Sequence, residues 1–176
     1  MSESISVDHP IQPAARYARL AFAALLAVYG VACLRHPERY RLLDSVDLAI
    51  HETGHLVFAA FGEFIGFAGG TLFQIIVPLV FVGYFLRRGD RYAAAVPLWW
   101  VAQNLWNISV YVRDARSQEL PLAGGGEHDW MYLLSSLGLM QSDQVIADAL
   151  HAVGVVVFGL SIIAAFYFAG DANSRN

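Results

Sequence analysis

Long runs of apolar residues, separated by short polar stretches, constrain this chain most strongly. The longest run has no charged residue and exceeds the ~20 residues that a helix needs to cross the hydrocarbon core of a bilayer. Four other runs are long enough for helices. The five predicted helices cover residues 20–34, 48–61, 64–86, 92–112 and 145–169. The sequence therefore predicts an all-α fold, a polytopic membrane helix bundle of about five hydrophobic helices.

The composition supports a membrane environment. Hydrophobic residues make up 57% of the chain and charged residues 15%, against roughly 25% in ordinary soluble domains. Such a chain has too little polar surface to cover itself in water. The formal charge of −4 and the lack of a basic patch exclude nucleic acid as the expected partner. We expect membrane lipid as a partner, and a multi-pass protein of the bacterial inner (plasma) membrane.

The predicted organisation is one helical domain between two polar tails. The tails cover residues 1–15 and 171–176, and the transmembrane domain covers residues 16–170. Within it, the loop 113–144 contains three successive glycines at 124–126, which allow a sharp turn. This loop is a candidate re-entrant segment, and residues 130–139 are apolar enough for a short helix that is either interfacial or re-entrant. The distribution of arginines weakly favours placing the N-terminus and this loop outside the cell.

The second predicted helix carries the sequence His51-Glu52-Thr53-Gly54-His55. Residues four apart lie on one face of a helix, about 6 Å apart, so both histidines can reach one metal ion. Glu52 is rotated off that line and can act on a water molecule as the catalytic base. Asp47 lies one turn upstream, where it either accepts a hydrogen bond from His51 or favours the helix start.

A zinc site of this kind needs a third protein ligand and one open position. A single cysteine, Cys33, excludes a cysteine-based metal motif. The remaining candidates are His128, Asp114, Asp129 and, less well placed, His151. We predict Zn²⁺ as the cofactor and His128 as the third ligand, with Asp114 or Asp129 as the alternatives.

Two stripes at helical spacing are expected to surround the motif. Small residues on the third helix let two backbones approach closely, so this face should pack on the motif helix. It consists of Gly62, Gly66, Gly70 and Gln74. Polar side chains on the fourth helix usually face a bundle interior or a cavity, so they either line the site, which we favour, or form plain hydrogen bonds between helices. They are Gln103, Asn104, Asn107, Tyr111 and Asp114.

These features resemble the site-2-protease class of membrane-embedded zinc metallopeptidases. In that class a membrane helix carries the His-Glu-x-x-His motif, and a later helix supplies an asparagine and an aspartate that is the third metal ligand. The matching residues are His51, Glu52 and His55, then Asn104 or Asn107, and Asp114. The family's Asn-x-x-Pro and Asp-Gly elements are missing. The resemblance implies hydrolysis of peptide bonds in or near the membrane, with a membrane-associated or peptide substrate.

Two other functions remain open from the sequence. Histidines on separate helices, such as His55 and His151, are suited to axial ligation of haem in a protein that binds metal or haem without hydrolysis. The motif could also be incidental in a structural or assembly protein.

Overall fold

The computed structural model describes residues 12–120 and 127–171, and these residues form helices and no strand. The predicted all-α class is therefore confirmed. The helices are α1 (Pro13–Arg35), α2 (Leu42–Phe58), α3 (Glu63–Arg87), α4 (Arg91–Arg113), α5 (Asp129–Ser136) and α6 (Asp143–Tyr167). Single 3₁₀ turns follow α2, precede α6 and end the described chain. The predicted glycine hinge at 124–126 and most of both polar tails lie outside the described residues.

Three of these helices are long and apolar enough to cross a membrane. They are Pro13–Arg35, Glu63–Arg87 and the continuous helical segment Met140–Gly170. The prediction of about five hydrophobic helices is not confirmed. The helix α2 has only 17 residues, and it carries several acidic residues and histidines. The helix α4 is long enough, but its interior is rich in polar side chains.

The helix α4 lies at the centre of the bundle, where it packs against α6 and α3. Its side chains Ile108 and Val112 form an apolar core with Leu134 of α5 and Ala147 of α6. Trp106 is also almost fully buried, and its indole N–H donates to a backbone carbonyl of α6 at 3.3 Å. The central position explains why a helix with so many polar groups can be accommodated, because its neighbours shield those groups.

The outer faces of α1, α3 and α6 expose large apolar side chains. Examples are Leu25, Val28, Val80, Val156 and Ile163, each of which is more than half exposed. Contiguous apolar surface of this kind marks an interaction with lipid or with another protein. A bilayer would cover these faces.

The helices α2 and α3 approach each other through glycines, as the spacing predicts. A Cβ atom added at Gly54 would overlap the carbonyl oxygen of Gly69, and one added at Gly70 would overlap the ring of His51. Gly62 has a different role, because its φ of 95° reverses the chain just before α3 begins. The glycine face of α3 therefore brings its backbone directly against the histidines of the motif.

Candidate metal centre

Three potential ligand atoms converge where α2 meets the start of α5. Asp129 Oδ2 lies 3.0 Å from His51 Nε2 and 3.3 Å from His55 Nε2. The two imidazole rings are 4.8 Å apart, centroid to centroid. One ligand atom from each residue lies within 4.8 Å of the other two. His51 and Asp129 are buried, and His55 is partly exposed.

The hydrogen bonds of the opposite ring nitrogens determine which tautomer each histidine adopts. His55 Nδ1 lies 2.8 Å from the carbonyl oxygen of Gly66, and His51 Nδ1 lies 3.1 Å from Gln74 Oε1. Carbonyl and amide oxygens only accept hydrogen bonds, so each Nδ1 carries the proton and donates it. Both Nε2 atoms are then unprotonated in the neutral rings, and each directs a lone pair at Asp129.

The orientation of Gln74 is itself determined by a chain of hydrogen bonds. Its Nε2 donates to Asn107 Oδ1 at 3.0 Å, and Asn107 Nδ2 lies 3.4 Å from Asp44 Oδ1. A carboxylate can only accept, so Asp44 sets the direction of every bond in the chain. The amide oxygen of Gln74 is therefore the group that faces His51.

This geometry fits a divalent metal. In the neutral rings, two lone-pair nitrogens and one carboxylate oxygen face one another, so a proton or a metal ion must be shared between them. Zinc binds histidine nitrogen and carboxylate oxygen at about 2.0–2.2 Å, so ligand atoms at the corners of a tetrahedron lie about 3.3–3.5 Å apart. The two N–O distances, 3.0 and 3.3 Å, are close to this value. Metal-bound histidines also normally donate their other N–H to an oxygen, as both do here.

The position of Asp129 is fixed by contacts of α5 with α3 and by a hydrogen bond at the N-terminus of α5. Trp130 Nε1 donates to Thr71 of α3 at 3.2 Å, and the ring of Tyr132 stacks on Phe67 of α3 with centroids 4.0 Å apart. At the N-terminus of α5, the backbone N–H of Met131 donates to His128 Nδ1 at 3.3 Å. Asp129 is the first residue of the helix that these contacts anchor.

His128, the predicted third ligand, does not face the motif histidines. Its ring is fully buried and stacks on Tyr111 with centroids 4.1 Å apart. Because Nδ1 accepts from the backbone, Nε2 carries the proton, and it lies 3.5 Å from Asp114 Oδ2. Burial lowers the pKa of His128, and the nearby carboxylates of Asp114 and Asp129 only partly oppose this effect. The structure brings the alternative candidate, Asp129, to the motif instead.

Asp114, the other alternative ligand, organises the chain that follows α4. It accepts hydrogen bonds from the hydroxyl of Ser117 and from the backbone N–H groups of Glu119 and Leu120, at 2.8–3.1 Å. Burial tends to raise the pKa of Asp114, but these hydrogen bonds and His128 outweigh it and hold the pKa below its usual value. Its carboxylate is therefore directed away from His51 and His55.

The candidate centre opens into a cavity of about 760 Å³ between α2, α3 and α4. Glu52 is exposed and lines this cavity together with both histidines and Asp129. The other charged lining residues are predominantly acidic. They are Glu38, Arg39, Asp44, Glu63 and Glu127. The motif glutamate thus shares one water-accessible space with the cluster, as the predicted role requires.

The predicted polar stripe of α4 divides between two places. Asn107 and Tyr111 line the cavity, and the Tyr111 ring lies 6.2 Å from that of His51. Gln103 and Asn104 instead face the first turns of α2. Asp47 also belongs to that region, because its Oδ1 accepts from Trp100 Nε1 at 2.7 Å. The side-chain partner of His51 is Gln74, so the proposed bond between Asp47 and His51 is not formed.

His151 lies on a different interface. Its ring is 6.3 Å from that of Trp106, where α6 packs on α4, and it is not among the described residues that line the cavity. The structure therefore does not pair it with His55.

Sequence reasoning placed Tyr111 in the polar stripe lining the site, but it did not identify Gln74 as a hydrogen-bond partner of His51. A signal for Gln74 was present, because it continues the glycine face that was expected to pack on the motif helix.

Comparisons of the chain with protein-family models, curated proteins and solved structures find no match. The candidate site therefore has to be interpreted from its own geometry.

Proposed function

We propose that this chain is an integral membrane zinc-dependent metallopeptidase that hydrolyses peptide bonds in or near the membrane. The observation that carries the proposal is the convergence of His51 Nε2, His55 Nε2 and Asp129 Oδ2, with both Nδ1 protons held by oxygen acceptors. Two histidines and one carboxylate form the protein part of many hydrolytic zinc sites, which keep a fourth position open.

In this proposal His51, His55 and Asp129 hold one zinc ion. A zinc ion in such a site supplies Lewis-acid chemistry, lowering the pKa of water toward ~7 and polarising a carbonyl group. The hydrogen bonds to Gly66 and Gln74 keep the rings oriented and make the Nε2 atoms better ligands. The contacts of α5 with α3 keep the carboxylate in place.

Glu52 is the general base of the proposed reaction. It follows the first ligand directly in sequence, lines the same cavity and has no hydrogen-bond partner shown among the described residues. It takes a proton from the attacking water and later delivers it to the nitrogen of the leaving amine. A carboxylate at the cavity surface can carry out both transfers because water and substrate reach the same side of it.

Tyr111 is placed to stabilise the charge that develops on the substrate oxygen. It lines the cavity with its ring 6.2 Å from that of His51, and its hydroxyl group can donate a hydrogen bond to a group there. Donors aimed at a developing oxyanion contribute strongly to hydrolysis. Asn107 lines the cavity too, but its side chain is already bonded to Gln74 and Asp44, so its proposed role is to support the ligand shell.

The cellular placement belongs to the same proposal. Three helices that can cross a membrane, with apolar outer faces, support a multi-pass protein of the bacterial inner membrane that contacts lipid directly. The cavity then lies among membrane helices, and a membrane-associated protein or peptide segment is the substrate that can reach it.

Metal analysis of purified protein tests the proposal. The expected result is one zinc ion per chain, its loss in His51→Ala, and cleavage of a peptide substrate that stops when zinc is removed and returns when zinc is restored. Haem absorbance in the Soret region would contradict it. Metal-free protein that keeps its cellular function after His51→Ala would favour a structural role.

One alternative function has a specific observation in its favour. Two histidines and one carboxylate with open positions also form the iron site of non-haem oxygenases. One iron per chain, with no zinc and no peptide cleavage after zinc loading, would replace the peptidase proposal with iron-dependent oxidation.

A further inference from the structure

The start of α1, the end of α3, the start of α4 and the end of α6 meet at one end of the bundle. The hydroxyl of Tyr92 of α4 donates to the carbonyl oxygen of Arg19 of α1 at 2.8 Å, and Arg19 Nη1 donates to the carbonyl oxygen of Asp171, just beyond α6, at 2.8 Å. The helix α3 ends at Arg87 and α4 begins at Arg91, so the turn between them lies here too. We call this surface the arginine end. Its arginines are Arg16, Arg19, Arg87, Arg88 and Arg91.

The metal centre lies toward the opposite end of α4. The ring of Tyr111 is 6.2 Å from that of His51, and Tyr111 lies near the end of α4, about 30 Å from Arg91 along the helix axis. The start of α1 and the loop after α4 were expected on the same side of the membrane, and the structure places them at opposite ends of the bundle. Because α1 starts and α3 ends at the arginine end, α2 between them starts and finishes toward the metal centre.

Four exposed arginines at the arginine end have no acidic partner among the described residues. They are Arg16, Arg87, Arg88 and Arg91. Asp90, which lies between two of them in sequence, instead caps α4 by accepting from the backbone N–H of Ala93 at 2.9 Å. By contrast, Arg113 and Arg116 at the opposite end each form an ion pair with an aspartate. The arginine end therefore presents positive charge that the described part of the chain does not neutralise.

Exposed apolar faces lead directly to this charge. On α3, Val80 is followed one turn later by Tyr84 and then by Arg88, all on one face of the helix. On α6, Ile163 is followed one turn later by Tyr167, and each of these apolar and tyrosine side chains is at least 49% exposed. The guanidinium of Arg88 lies over the ring of Tyr84 at 5.4 Å and donates to its hydroxyl at 3.0 Å. Tyrosine is enriched where the hydrocarbon core of a bilayer meets its headgroups, and arginine beyond it reaches the headgroups.

We propose that the arginine end binds the headgroups of anionic phospholipids in one leaflet of the bilayer. A bilayer that covers the apolar faces of α3 and α6 brings its phosphate groups level with these arginines. Guanidinium groups bind phosphate through several N–H donors at once, and basic residues beside membrane helices attract anionic lipids. A soluble acidic partner would leave the exposed tyrosines between the charge and the apolar faces without a role. The inference rests on the proposed membrane placement, and it does not depend on zinc or on peptidase activity.

Thermal unfolding of the full chain in a neutral detergent, titrated with phosphatidylglycerol or phosphatidylcholine, tests the proposal. Ligand binding raises the unfolding midpoint in a saturable way. At a phosphatidylglycerol concentration tenfold above the dissociation constant, we expect an increase of about 3–6 °C. Phosphatidylcholine, which carries no net charge, and inorganic phosphate should each give a much smaller increase. The effect of phosphatidylglycerol should persist after zinc is removed with a chelator.

The combined variant Arg87→Gln, Arg88→Gln and Arg91→Gln should bind phosphatidylglycerol at least about tenfold more weakly, because it removes three positive charges. Lysine at the same three positions keeps the charges and should retain most of the increase. The matched control is Arg113→Gln with Arg116→Gln, which changes two arginines at the opposite end. Loss of their ion pairs lowers the midpoint itself, but the increase with phosphatidylglycerol should be unchanged.

Equal increases with phosphatidylglycerol and phosphatidylcholine, or an undiminished increase in the glutamine variant, would overturn the proposal. An equal increase with inorganic phosphate would replace lipid by a free anion. If the glutamine variant does not fold, native mass spectrometry of the wild-type chain decides, with retention of phosphatidylglycerol over phosphatidylcholine expected and equal retention overturning the proposal. A chain that stays in solution without detergent would contradict the membrane placement itself, and this inference with it.

Discussion

Asp44 and His51 are connected by a chain of three hydrogen bonds, although they lie about two turns apart on α2. The chain passes through Asn107 of α4 and Gln74 of α3, so it crosses two other helices before it returns to α2. Its direction is set by the carboxylate, which can only accept. The result is a defined tautomer at His51, with the lone pair of Nε2 directed at Asp129.

The first prediction follows from this chain. Replacing Gln74 with leucine removes the acceptor of the His51 Nδ1 proton while keeping a side chain of similar volume. We expect zinc affinity to fall about 10–100-fold, which is typical for loss of a hydrogen bond to a metal-bound histidine. Competition against a fluorescent zinc chelator measures the change.

The control for that experiment is Gln144→Leu. Gln144 is a surface glutamine that bonds to Arg113 and lies on α6, away from the cluster. Its replacement should leave zinc affinity within the error of the measurement. Equal affinities for Gln74→Leu and wild type would show that the hydrogen-bond chain has no influence on the metal.

The second prediction distinguishes the candidate third ligands. Asp129→Ala should lose stoichiometric zinc, because it removes one of three ligand atoms. Asp114→Ala should retain one zinc per chain, because Asp114 bonds to Ser117 and to the backbone beyond α4. His128→Gln should also retain zinc. Elemental analysis after gel filtration measures all three variants, and zinc retention in Asp129→Ala with loss in His128→Gln would reverse the assignment.

The motif and its partner face were predictable because both depend on local periodicity. The four-residue spacing of His51 and His55 places them on one side of any α-helix, whatever surrounds it. The glycine face of α3 was predictable for the same reason, and the structure packs Gly70 on His51. Neither inference needed knowledge of which helices are neighbours.

The acidic residue that faces the two motif histidines could not be predicted, because it depends on where a short helix docks. His128 and Asp129 are adjacent in sequence, and a difference of one residue decides which of them faces the motif. Three features make Asp129 the residue that faces the motif. The helix α5 begins at Asp129, Trp130 donates a hydrogen bond to Thr71, and the ring of His128 stacks on Tyr111. The predicted count of about five hydrophobic helices was not confirmed either, since apolar length alone does not distinguish a helix buried by protein from one covered by lipid.

The third prediction concerns Glu52. Glu52→Gln removes the proton acceptor and preserves the shape of the side chain, so zinc should stay at one per chain. Peptide cleavage should fall about 10²–10⁴-fold, the usual contribution of general acid–base catalysis. The comparison variant is Glu63→Gln, which changes another acidic residue of the cavity lining without touching the ligands. Full activity in Glu52→Gln would exclude the assigned role.

The fourth prediction concerns acid stability. The pKa of Asp114 is held below its ordinary value of about 3.9 in the folded chain, so its hydrogen bonds stabilise the fold fully above that pH. This stabilisation is lost as the pH falls through the lowered pKa, because the carboxylate is then protonated. The difference in unfolding midpoint between wild type and Asp114→Asn, measured on zinc-free protein, should be constant near neutral pH and shrink below about pH 4. A difference that grows on acidification would contradict the assignment.

The fifth prediction tests the close approach of α2 and α3. Gly54→Ala should destabilise the protein by about 1–3 kcal/mol, because its Cβ would overlap the backbone of Gly69 and the helices would have to separate. Gly83→Ala, in the same helix as Gly69, has open space at its Cβ and should be neutral or stabilising by about 0.5–1 kcal/mol. Because helix separation also moves His51 and His55 away from Gly66 and Gln74, Gly54→Ala should weaken zinc binding as well. Denaturant unfolding and zinc titration of both variants measure the two effects. If Gly54→Ala has the same free energy of unfolding and the same zinc affinity as wild type, the helices do not pack as closely as described.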